Sequence, residues 1–305
     1  MKHSSFFWFV LPSALLMLLF IAMPIVSVVT QSLYTAHEQV IVEVENCGPF
    51  GCTKSTTIDQ EATEALRDAE PLGVYAGLDI YKDRNHLAFA EVSAAWVESD
   101  GLPDFGKTLM NLPFYKAMAF TLTFTAVVTP LTIILGLLIA LAINTLAKAF
   151  KGPTIFFSLL PFIITPLVGS LVLFWMVDAR GILGAGLQWI AGDPTLSVKA
   201  NTALMWMMLM AYGIWHAAPF AFVVFYAGLQ TVNQETIEAA LIDGASRWER
   251  IRYVVIPHLM PLVVFVALIQ LMDNFRVFEP IFSFSAAAHA TSLSYSIFNL
   301  SLIHI

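Results

Sequence analysis

Charge is scarce in this chain. Only 12% of its 305 residues are Asp, Glu, Lys or Arg, where a soluble domain carries about a quarter, and 58% are hydrophobic. That shortage excludes an ordinary soluble domain and reads as an integral membrane protein. Cysteine is scarcer still: Cys47 and Cys52 are the only two. No His/Cys spacing suited to a metal, no glycine-rich phosphate loop and no tandem repeat occurs, and the seven histidines are scattered. Serine, histidine and acids are present, but nothing places them together as a catalytic set. No catalytic residue, metal site or cofactor is therefore expected, and no nucleic-acid partner.

Where charge is missing, long apolar runs remain. Phe6–Val29, Ala117–Ile143, Thr154–Val177 and Ala200–Leu229 contain no charged residue, and each exceeds the roughly 20 residues that cross about 30 Å of hydrocarbon as a helix. Backbone groups in lipid must be satisfied within the segment, so helices are expected. A fifth run, His258–Met272, is short for a span and must carry Asp273 into or near the membrane to cross. The first run is too long for the core of a secretory signal, and no clear small-residue cleavage site follows it.

Orientation follows from the short connections. With Lys2 cytoplasmic, Lys148, Lys151, Arg247, Arg250 and Arg252 are cytoplasmic too, in keeping with the positive-inside rule. Residues 30–116 then lie outside and hold fourteen acidic and six basic residues, a balance of −8 that dominates the chain's net −7. The reading is an all-α, multi-pass helical bundle in a bilayer. Its parts are a first span over 1–29, a periplasmic insertion over 30–116 and a core over 117–305. The core spans are 117–143, 154–177, 202–229 and 258–281. In the insertion, Thr57–Ala69 is acidic and alanine-rich and expected as helix, and Gly73–Phe89 as short strands and turns, together a small ordered cap. Lys148, Lys151, Gly152 and Pro153 read as a tight turn, and Pro161 and Pro166 as a kink in the third span.

The most informative stretch is the connection over 230–257. Asn233 is a good helix N-cap and Glu235 suits the positive helix start. Ile237, Ala240 and Leu241 fall on one face. Gly244 is placed to end the helix in a left-handed conformation, and a second short helix is expected over Ser246–Val254. A short helix with a small apolar face needs a cover. Its flanking Glu238 and Asp243 argue against anionic lipid and favour a cytoplasmic protein partner.

Here the chain resembles a known family. Glu238-Ala239-Ala240-x-x-Asp243-Gly244-Ala245, followed by Ile256-Pro257 and Pro261, is similar to the coupling-loop motif of permeases from binding-protein-dependent ABC importers. Phe275-Arg276-Val277-Phe278-Glu279-Pro280-Ile281-Phe282 resembles a segment of the carbohydrate branch, the maltose-type permeases. The resemblance runs from about Lys107 onward. It implies a permease of a bacterial inner membrane that catalyses no covalent chemistry and carries a sugar by alternating access. The implied partners are two cytoplasmic ATPase subunits whose clefts receive the coupling helices, a second permease and a periplasmic solute-binding protein. Two departures stand out. Ala286-Ala287-Ala288-His289-Ala290 replaces a glycine-rich loop, and five spans are counted where the family core has six, so a last span is expected to be missing. The competing reading is a transporter driven by an ion gradient, which calls for coupling carboxylates in broken helices; the loop motif counts against it.

Gln270, Asp273, Asn274, Arg276 and Glu279 are the candidates for the substrate pathway. Asp273, Arg276 and Glu279 recur every three residues, so adjacent members can pair on a helix, and charges at membrane depth face a cavity or each other. They read equally well as a structural ion-pair ladder. Trp175 and Phe278 are candidates to stack on a sugar or to anchor the chain at the interface. Cys47 and Cys52 bracket the turn sequence Gly48-Pro49-Phe50-Gly51, and in an oxidising compartment that spacing favours a disulfide over two free thiols. Mass spectrometry of non-reduced peptides is expected to show Cys47 joined to Cys52; alkylation of both thiols under oxidising conditions would contradict it.

Overall fold

The computed structural model describes residues 3–35, 37, 39–48, 51–84, 86–99 and 101–303; Lys2, Pro49, Phe50 and Ile305 lie outside them. The chain divides into two compact units, residues 1–108 and 109–303. The first unit opens with α1 (His3–Met17) and α2 (Met23–Gln31), joined by a π-helical turn at Leu18–Ala22. Pro24, just beyond that turn, has no N–H to complete the α-helical ladder, and the wider turn absorbs the missing bond. Every side chain over 6–31 is exposed.

The segment that follows is folded. Strand β1 (Tyr34–Thr35) pairs antiparallel with β4 (Val74–Tyr75). Strands β2 (Ile41–Gly48) and β3 (Gly51–Ile58) form a hairpin whose register sets Cys47 opposite Cys52. Helix α3 (Gln60–Ala69) starts at Asp59, whose carboxylate accepts from the Ala62 N–H at 3.1 Å. Thr57 and Ile58, expected in that helix, belong instead to β3, where they face Val42 and Ile41. Thr63 is buried; its hydroxyl accepts from the Val40 N–H and donates to the Asp59 carbonyl. The one-turn helix α4 (Asp79–Lys82) presents Tyr81, whose hydroxyl donates to Ser32 Oγ at 2.6 Å. Helices α5 (Phe89–Glu98) and α6 (Leu102–Leu109) complete the segment.

In the second unit, α7 (Pro113–Thr145) is the longest helix, followed by α8 (Lys148–Ile163) and α9 (Pro166–Met176). The last two meet at 93°. The third span is therefore two helices rather than one kinked helix. Pro166 lacks the N–H that would continue α8, and it disfavours the helical conformation in Thr165 before it. Lys148, Lys151, Gly152 and Pro153 lie within α8, not in a turn; the reversal is confined to Leu146 and Ala147, both extended. Helix α10 (Ile182–Ala191) lies in the next connection, which Lys199 closes by pairing with Asp178 at 2.8 Å over the Phe174 ring. The hydrogen bond from Lys199 holds the Asp178 carboxyl below its ordinary range.

Helix α11 (Thr202–Leu229) leads to α12 (Gln234–Ile242). Helix α13 (Arg247–Arg250) is not separate from the last span. It continues through a π-helical turn at Ile251–Val255 into α14 (Ile256–Phe275), the turn again lying just before a proline, Pro257. Helix α15 (Glu279–Ser283) and α16 (Leu293–Ile303) follow. Among the described residues four helices are long and apolar enough to cross a membrane, five if α8 and α9 form one span.

Helices α7, α11 and α14 build the core. One cluster joins Phe120, Phe124 and Val128 to Met205, Leu209, Ile281 and Phe284. A second joins Ala140 and Ile143 to Ala221, Phe222, Phe225, Leu259 and Val266. The alanine-rich stretch after α15 enters the first cluster, with Ala286 and Ala290 fully buried. Close approach of α7 and α11 depends on Gly136, where an added Cβ would lie 2.6 Å from Ala221 Cβ. Small residues allow such contact between membrane helices, where dispersion and not water exclusion drives packing. Gly136→Ala is therefore expected to destabilise the protein by about 1–3 kcal/mol through overpacking. Gly152→Ala, with nothing within 4 Å, is the neutral control. Thermal unfolding in detergent compares the two.

Candidate functional site

The break between α8 and α9 leaves the last carbonyls of α8 without helical donors; α11 reaches one of these and also the first carbonyl of α9. The Tyr212 hydroxyl donates to the Pro166 carbonyl at 2.8 Å, and His216 Nε2 sits 3.1 Å from the Ile164 carbonyl. A carbonyl only accepts, so that nitrogen carries the proton. Tyr212 and His216 are one helical turn apart on α11, which lets one face hold both sides of the break.

That face also walls a cavity of about 580 Å³. Phe124 of α7, Phe162 of α8, and Tyr212, His216 and Phe220 of α11 form its apolar side. Gln270, Asp273 and Asn274 of α14, with Arg276 and Glu279 beyond it, form the polar side. All five residues singled out for the pathway thus meet in one cavity. Gln270 and Asn274 are buried. The Asn274 amide donates to Thr129 Oγ1 at 3.0 Å, tying α14 to α7.

The three charges do not form a ladder. Arg276 Nη2 pairs with Asp273 Oδ1 at 3.0 Å. Glu279 makes no ion pair or hydrogen bond among the described residues. The reason lies in the backbone: α14 ends at Phe275, and Glu279 opens α15, so the helical spacing that would align Glu279 with Arg276 is interrupted. Of the two roles open to Trp175 and Phe278, stacking on a sugar in this cavity is not supported. Trp175 is exposed against Phe174, and Phe278 packs on Phe282, Tyr295 and Phe298; neither lines the cavity. The rings that do so, Phe124, Phe162, Phe220 and Tyr212, carried no sequence signal beyond their place in apolar runs.

A second set of candidates lies on the connection between α11 and α14. Asn233 Oδ1 accepts from the Glu235 N–H at 2.9 Å and caps α12. The helix carries Glu238, Ala239 and Ala240. It ends at Asp243, where Gly244 adopts φ +80° with nothing within 4 Å of an added Cβ. The Gly244 N–H then donates to the Leu241 carbonyl and the Ala245 N–H to the Ala240 carbonyl. Ser246 and Glu249 cap the next turn reciprocally, and Pro257 stands in the first turn of α14. Ile237 and Ala240 are half-buried, whereas Leu241, Ile242, Trp248 and Tyr253 are exposed, Ile242 at 86%. The connection is rigidly built and leaves apolar side chains uncovered.

Residues 109–278 match the family of binding-protein-dependent transport system inner membrane components. The chain is 29% identical over 187 residues to a probable ABC transporter permease protein of Sinorhizobium fredii, covering 60% of this chain and 58% of that one. It is 28% identical over 224 residues to the trehalose transport system permease protein of Mycobacterium tuberculosis, covering 73% and 69%. A trehalose/maltose transport system permease protein of Thermococcus litoralis is 28% identical over 203 residues, covering 65% and 68%. The chain thus spans between 58% and 69% of these relatives' lengths. In fold it is similar to a chain of a bacterial alginate ABC transporter, solved with an alginate pentasaccharide-bound periplasmic protein. The TM-score is 0.57 and the identity 24%, over 71% of this chain and 77% of that chain. The matched region takes in α7, α8, α11 and α14 with the capped loop, stops just before Glu279, and covers more than half of the sequence: this chain belongs to the family of binding-protein-dependent transport system inner membrane components.

Proposed function

We propose that this chain is the membrane-spanning subunit of an ATP-driven importer, set in a bacterial inner membrane with its N-terminus cytoplasmic. A sugar or related solute passes through the cavity by alternating access. The observation that carries the reading is the placement of α12. It is a capped helix with uncovered apolar side chains on the connection that joins α11 to α14, two of the helices that wall the cavity. A displacement of α12 would act on both walls through the chain that links them. Burying an exposed Leu241 or Ile242 side chain stabilises a complex by about 1.5–3 kcal/mol each, and Glu238 and Asp243 supply charge at the rim. The partner in that role is a cytoplasmic ATPase subunit, which hydrolyses the ATP. A second permease and a periplasmic solute-binding protein complete the assembly. Relatives named for trehalose and maltose transport support a sugar as cargo. Gln270, Asp273, Asn274, Arg276 and Glu279 are its pathway, and 230–257 is the coupling loop. The register of β2 and β3 supports the proposed Cys47–Cys52 disulfide.

Two experiments test this. Glu238→Lys combined with Asp243→Lys reverses the rim charge. Gly244→Val forces a side chain into a left-handed conformation at about 1–2 kcal/mol. Each change is expected to leave the protein in the membrane and to reduce co-purified ATPase subunit by about tenfold, the effect of about 1.4 kcal/mol. Undiminished ATPase recovery with normal uptake would contradict the assignment. In the cavity, Gln270→Leu is expected to lower uptake with assembled protein unchanged. Asn274→Leu is expected to lower assembly as well, because it strips Thr129 of its donor at about 1–3 kcal/mol. Radiolabelled uptake and size-exclusion yield, measured together, separate the two effects.

A further inference from the structure

We infer that the cavity selects neutral saccharides and rejects anionic ones, sugar phosphates and uronates alike, and that Glu279 is the residue that sets this preference. The inference rests on the reading of the cavity as a sugar pathway and adds the charge class of the cargo. Asp273, Arg276 and Glu279 are the acidic and basic residues in the cavity wall. Arg276 is held 3.0 Å from the Asp273 carboxylate, so that pair is neutral overall and its cation is already engaged. Glu279 is left with no counter-ion among the described residues, and the wall carries one net negative charge.

An anion entering this space meets the like charge of Glu279, which no cation of the wall offsets. Arg276 offers little compensation, because recruiting it uncovers Asp273. A neutral saccharide meets complementary chemistry instead. Its hydroxyls donate to Glu279, exchange hydrogen bonds with the buried amides of Gln270 and Asn274, and leave its ring faces to the apolar side at Tyr212 and Phe220. The selecting charge depends on the backbone break after Phe275: with α14 continued, Glu279 would approach Arg276 by helical spacing and lose its freedom to act on cargo.

The test is saturation-transfer NMR on the permease assembled with its second permease and ATPase subunits in lipid nanodiscs. Trehalose serves as the neutral probe and a uronate disaccharide as the anionic one. In the wild type, trehalose is expected to give signal and the diuronate about tenfold less. In Glu279→Gln the diuronate-to-trehalose ratio is expected to rise by about tenfold. Should that variant fail to assemble, raising salt from about 50 to about 500 mM with the wild type does the same work, since screening weakens the repulsion and the ratio must climb. Equal wild-type signal from both disaccharides overturns the charge selection and leaves the sugar reading standing. A ratio unmoved by both the variant and salt also overturns the role of Glu279. Silence from both disaccharides overturns the sugar reading and this inference with it.

Discussion

A helix that breaks at membrane depth must hand its freed carbonyls to another donor, because lipid supplies none. That constraint organises the second unit. At the 93° break between α8 and α9, His216 of α11 reaches the freed Ile164 carbonyl and Tyr212 ties down the start of α9 at Pro166, and the same two side chains then stand in the cavity wall. The prolines at 24 and 257 are met by a different device, a π-helical turn just before each. The buried Asn274 amide is paired with Thr129, and the exposed Arg276 with Asp273. Glu279 stands apart from this pattern as a charged wall residue with no partner among those described.

Much of the span architecture was legible in the sequence because apolar length is a strong local signal. The runs over 6–29, 117–143 and 202–229 lie within α1–α2, α7 and α11. The capping of α12 was legible for the same reason: Asn233 and Gly244 act on their own neighbours, so no distant contact decides them. What was not legible depends on partners far along the chain. Pro161 and Pro166 announced a kink, but its angle is held by residues some fifty positions later. The hairpin of β2 and β3 escaped notice because its register is decided across the turn rather than along a strand. In the same way, stacking and anchoring stayed equal readings of Trp175 and Phe278 because sequence says nothing about which side of a helix faces a cavity.

The three charges near the end of α14 show where local periodicity misleads. Their spacing of three predicts a ladder on an unbroken helix. The helix stops at Phe275, so one pair forms and one carboxylate is released into the cavity. A backbone break thus converts a structural motif into a chemical one. The connection over 230–257 makes the complementary point: its helix is fully formed within the chain, while Leu241, Ile242 and Trp248 stay exposed.

The proposed function requires that the opening of the cavity be switched by ATP through α12. The direct measurement is the accessibility of a cysteine at position 270, in Gln270→Cys with Cys47 and Cys52 replaced, to membrane-impermeant thiol reagents. The assembled complex is reconstituted in oriented vesicles and labelled from each side, with ATP trapped by vanadate and without it. Labelling is predicted from the cytoplasmic side in the resting complex and from the opposite side when ATP and the binding protein are present. Labelling from the same side under both conditions would contradict it.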